Sequence, residues 1–84
     1  MNGYGQVYRT ACPEGFPKGN ERFPYAMAFR GVIMDEDERF KEVWEGLPSG
    51  TPDEAFDDME KAAKKLGCTD LRRWSGTLPE ETLV

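Results

Sequence analysis

Apolar and polar residues alternate at the start of the chain. Residues 4–12, YGQVYRTAC, follow the two-residue rhythm of a half-buried strand. Tyr4, Gln6, Tyr8, Thr10 and Cys12 fall on one face, and Val7, Arg9 and Ala11 on the other. Residues 13–22 hold two Pro, two Gly and one Asn and predict a loop. Residues 23–34, FPYAMAFRGVIM, predict a second strand. Tyr25, Met27 and Phe29 share one face; Ala26, Ala28, Arg30, Val32 and Met34 share the other, with Gly31 as a candidate bulge.

The period then changes from two to 3.6. Phe40, Val43, Trp44 and Leu47 recur at i, i+3, i+4 and i+7, which predicts a helix over about 36–46. Asp35 is its N-cap, with Glu38 three residues later, and Gly46 and Pro48 stop it. A second helix is predicted over 52–66. Thr51 caps it, Pro52 takes the first helical position, and Glu54 completes a capping box. Its apolar stripe is Ala55, Phe56, Met59, Ala62, Ala63 and Leu66, and Gly67 supplies a left-handed stop. Asp57–Lys61 and Glu60–Lys64 are acid-first i,i+4 pairs. In residues 69–75 a helical turn fits slightly better than a strand, with Leu71 and Trp74 inward, and an extended tail runs to residue 84. The predicted class is α+β: one domain, a small antiparallel sheet packed against two antiparallel helices.

Composition agrees with a small packed domain. Of 84 residues, 38% are hydrophobic and 32% charged, and ten aromatic rings supply bulk for a thin core. No apolar run approaches the roughly 18–20 residues that span a bilayer, and the first residues lack the basic and apolar pattern of a secretory signal. A cytoplasmic location, without membrane partners, is the resulting expectation. It also favours reduced thiols at Cys12 and Cys68 over a disulfide.

Histidine is absent, which removes the commonest general base, the usual triads and most transition-metal sites. A calcium loop starting at Asp35 would need an acid at its twelfth position, where Gly46 stands. The glycines of GYG and GLPSG lack the lysine and helix of a phosphate loop. Neither cysteine has a visible base, and Cys68 follows a helix C-terminus, where the dipole disfavours a thiolate. The expectation is a protein that is not an enzyme, with no catalytic residues, cofactor or metal. Tyr4, Tyr8, Phe29, Arg9 and Arg30 have the composition of a base-stacking platform. They lack its characteristic order, and a net charge of −5 opposes direct nucleic-acid binding.

Charge is distributed unevenly. Residues 35–60 carry eleven acids against Arg39 and Lys41, while the remaining residues are net basic. In two antiparallel helices joined by a short turn, Glu42 and Glu45 of the first meet Asp53, Glu54, Asp57 and Asp58 of the second. Capping and dipole effects account for part of this acid. The rest predicts a docking surface for a basic protein partner, with Trp44, Pro48 and Phe16 as apolar anchors. A homodimer through a strand edge or the Trp44 face is a further expectation.

The segment VWEGLPSG, residues 43–50, read as a helix end running into a second amphipathic helix, resembles the helix-turn-helix end of some small phage-encoded anti-CRISPR proteins. The resemblance covers about 25 residues, and GLPSG is its one distinctive piece. It departs from that pattern in its long 13–22 loop and in having two clear strands rather than four. The resemblance implies a phage- or mobile-element-encoded, non-catalytic inhibitor that lays acids on the basic surface of a CRISPR effector complex. The alternative is a structural or accessory domain of a bacterial or phage assembly, with the acids serving solubility.

Overall fold

A computed structural model describes residues 2–13, 21–39 and 41–78. Four strands and one α-helix form in the order β1 (Gly3–Thr10), β2 (Ala28–Asp35), β3 (Lys41–Glu45), α1 (Pro52–Leu66) and β4 (Asp70–Arg72). The sheet order is β3-β2-β1-β4. β1 and β2 pair antiparallel from Gly3 opposite Asp35 to Thr10 opposite Ala28. β3 adds antiparallel to β2, and β4 adds parallel to β1. A parallel neighbour requires a crossover, and α1 carries the chain from the β3 edge to the β4 edge.

Alternation along the strands decides the core. Gly5 and Val7 share a face with Phe29, Gly31 and Ile33, and Trp44 and Leu71 lie in register beside them. Val7, Phe29 and Ile33 are at most 1% exposed and pack against Ala55, Phe56, Met59 and Ala63 of α1. The helix rides very close to the sheet. A Cβ built on Gly31 would lie 2.7 Å from Met59 Cβ, and one on Gly5 would lie 2.9 Å from Met59 Sδ. These two glycines are the slot into which Met59 fits.

Helix α1 forms as its sequence dictates. The Thr51 hydroxyl accepts from Glu54 N at 3.3 Å, Pro52 opens the first turn, and Gly67 ends the helix with φ of 75°. Neither Asp57–Lys61 nor Glu60–Lys64 closes to an ion pair within 4.0 Å.

The fold departs from the α+β expectation of two helices on an antiparallel sheet: there is one α-helix, and the sheet is mixed. The expected helix at 36–46 is a short 3-10 turn, Glu36–Glu38, followed by strand β3. Asp35 does cap that turn, accepting from Asp37 N at 2.9 Å. Arg39 then adopts a left-handed φ of 59°, which ends it. Between that stop and Gly46 and Pro48 the segment is too short to be a stable helix. Val43 and Trp44 suit a strand, and the free edge of β2 supplies hydrogen-bonding partners. Among its described residues the 3.6-residue stripe is not buried as a unit: Leu47 is 81% and Val43 37% exposed, while Trp44 packs on the core. Phe40 and Phe16 lie outside the described residues.

Three smaller corrections follow, one from local turns and two from pairing across the sheet. The second strand starts at Ala28, because Pro24 and the positive φ of Ala26 (57°) bend residues 21–27 into turns. Gly31 pairs regularly with Val7, and the bulge lies in β3, where Val43 is the extra residue between Trp44 opposite Ile33 and Glu42 opposite Met34. Residues 70–72 are strand β4, pairing with Tyr4, Gly5 and Gln6, instead of a helical turn.

Candidate interaction surface

Because residues 41–45 are a strand, the six acids expected to gather at one helical turn are divided. Glu45 lies opposite Val32 and Glu42 opposite Met34, on the sheet face away from α1. That face also presents Tyr4, Gln6, Tyr8 and Arg30. Asp53, Glu54, Asp57 and Asp58 lie on the helix, behind the sheet.

The bulge brings Glu42 and Glu45 together. The Glu45 carboxylate, an acceptor for the Glu42 proton, raises the Glu42 pKa above the ordinary 4.5; slight desolvation and the like charge add to this, and Arg30 opposes it. The Arg30 guanidinium forms an ion pair with Glu45. Its Nε is buried without a hydrogen-bond partner, so Arg30 spends its donors toward the strand edge.

The helix acids have different roles. Asp53 is bridged by Arg73 at 3.3 Å, and the same guanidinium lies 3.9 Å from the Phe56 ring centre. That clamp ties the segment after β4 to the start of α1. It is followed by Trp74, whose ring meets Phe29 edge-on at 5.0 Å. Glu54, Asp57 and Asp58 are exposed and form no ion pair among the described residues. Asp58 leans toward β3: a Cβ on Gly46 would lie 3.0 Å from Asp58 Oδ2.

Between β3 and the second half of α1 runs an open groove of about 390 Å³. Val43, Trp44, Ala62 and Leu66 form its apolar floor, and Asp58, Lys61 and Lys65 its rim. Trp44, expected as an apolar anchor, is in fact half-buried as part of this floor. Leu47, the most exposed of the large hydrophobic residues described, projects immediately beyond the strand. Sequence reading missed it because a helical stripe had turned it inward.

Cys12 and Cys68 are free thiols, and Cys68 is buried within hydrogen-bonding reach of the Asp70 carbonyl at 3.9 Å. No three Cys, Asp or Glu side chains of the described residues converge to hold an ion. No described helix is long and apolar enough to cross a membrane. No protein-family model, curated protein or solved structure matches this chain.

Proposed function

We propose that this chain is a non-catalytic protein-binding module that presents acids to a basic, nucleic-acid-binding partner and inhibits it. The observation that carries this reading is the Glu42–Glu45 pair. The bulge at Val43 sets two carboxylates on the same face of the edge strand, Glu42 opposite Met34 and Glu45 opposite Val32. Arg30 pairs with Glu45 and leaves Glu42 without an ion pair among the described residues, so a partner's cation would offset the remaining like charge. Glu54, Asp57 and Asp58 extend the negative field on the helix side. A protein of net charge −5 with this distribution would steer toward the surface that a basic protein offers to nucleic acid. CRISPR effector complexes are one partner class with such a surface; the helix-turn-helix likeness of residues 43–50 lends no support, because residues 41–45 are a strand.

The test is capture from cells that carry their own defence and replication machinery, followed by reconstitution. Wild type and a Glu42→Gln, Glu45→Gln variant serve as bait, with circular dichroism as the folding control. The expected result is a basic nucleic-acid-handling complex retained by wild type and released as salt rises. The purified complex should lose nucleic-acid binding when wild type is added and keep it when the variant is added. Equal capture and equal inhibition by the two baits would refute the assignment. A captured complex whose nucleic-acid binding is unaffected would favour the accessory-domain alternative.

A further inference from the structure

Three features beside strand β3 remain unused by the pair of Glu42 and Glu45. They are the apolar groove, the exposed Leu47, and the charge order along the helix. Glu54, Asp58, Lys61 and Lys65 follow the i, i+4, i+7, i+11 spacing of a single helical stripe. Asp58, Lys61 and Lys65 of this stripe rim the groove. None of the four makes an ion pair among the described residues.

A stripe that runs acid, acid, base, base is complementary to its own reverse. We infer that the groove between β3 and α1 is occupied by a second copy of this chain, in a two-fold dimer with the α1 helices antiparallel. The axis passes between Asp58 and Lys61. Glu54 then lies opposite Lys65 of the second copy and Asp58 opposite its Lys61, and the symmetry repeats both pairs. The same rotation accounts for Leu47. It leaves the chain right after Gly46, at the Asp58 end of the stripe, and is 81% exposed. Reversal of the second helix brings Leu47 of that copy toward the Lys61–Lys65 end of the first. There the floor of Val43, Trp44, Ala62 and Leu66 is open, with Val43 37% and Leu66 39% exposed. One isolated apolar side chain and one apolar groove are joined by the operation that also matches the charges. The dimer covers Glu54 and Asp58 and leaves Glu42 and Glu45, on the far face of the sheet, accessible, so it does not rest on the proposed inhibitory role.

Sedimentation equilibrium of the complete chain tests the inference. Wild type is expected at twice the 9.5 kDa chain mass at high protein concentration, with the dimer weakening as salt rises. Leu47→Asp, at a site too exposed to affect folding, should raise the dimer Kd at least about tenfold. Lys61→Glu with Lys65→Glu should abolish self-association. Mixing that variant with Glu54→Lys, Asp58→Lys should restore a mixed dimer that neither forms alone. A wild type still monomeric at about 1 mM would overturn the inference. So would a dimer indifferent to Leu47→Asp, or charge-reversed chains that fail to rescue one another while each stays folded by circular dichroism.

Discussion

Replacing Gly31 with alanine tests the closest approach in the fold. The new Cβ would meet Met59 Cβ at 2.7 Å, Met59 Cγ at 3.2 Å and the Ala55 carbonyl oxygen at 3.3 Å. The nearest of these belongs to the helix itself, and the last is its backbone, so rotating the Met59 side chain cannot clear the site. The helix must lift from the sheet and loosen Val7, Phe29 and Ile33 beneath it. Overpacking of this kind costs about 1–3 kcal/mol. Removing a glycine from the unfolded chain returns up to about 1 kcal/mol. The net loss is about 1–2 kcal/mol, a large share of the roughly 4–13 kcal/mol expected for 84 residues. It corresponds to a fall in Tm of roughly 4–16 °C. Gly5→Ala is the internal control, since its closest contacts are Leu71 Cδ2 and Met59 Sδ, both at 2.9 Å and both ends of flexible side chains. Met59→Ala should therefore relieve Gly5→Ala in a double-mutant cycle and relieve Gly31→Ala little, because alanine keeps the offending Cβ. Urea denaturation followed by circular dichroism measures all the corners. A Gly31→Ala protein as stable as wild type, or one fully rescued by Met59→Ala, would refute the close-packed slot.

Met59→Ala by itself empties a fully buried site and should cost about 2–5 kcal/mol in the same assay. Thr51→Ala removes the hydroxyl that accepts from Glu54 N and should cost about 1 kcal/mol. The raised pKa of Glu42 means that the folded state holds this proton more tightly than the unfolded chain does. Its contribution therefore favours folding below the unfolded value and is lost as pH rises through the folded one. Glu42→Gln should flatten the stability profile just above pH 4.5, and an unchanged slope there would argue against contact between the two carboxyls.

The sequence by itself determined the parts whose causes are local. Helix α1 is legible from Thr51, Pro52, Glu54 and Gly67, because a cap, a first-turn proline and a left-handed stop act within a few residues. The alternation separated Val7 from Tyr4 and Tyr8, and Phe29 from Arg30 and Val32, because pleating sets side-chain direction residue by residue; which face is inward was decided by where α1 packs. Residues 36–46 lay beyond this reach. Their apolar spacing fits a helix, but a helix of that length depends on burying its stripe, while a strand in the same place gains the free edge of β2. That competition is decided by a neighbour distant in sequence. The same holds for residues 70–72, three residues that are a strand only because α1 delivers them beside β1. The surface followed the fold. With β3 in place of a helix, Glu42 and Glu45 moved to one face of the sheet and Asp53, Glu54, Asp57 and Asp58 stayed behind the other. Composition set how much acid the chain carries, and long-range pairing decided which acids are neighbours.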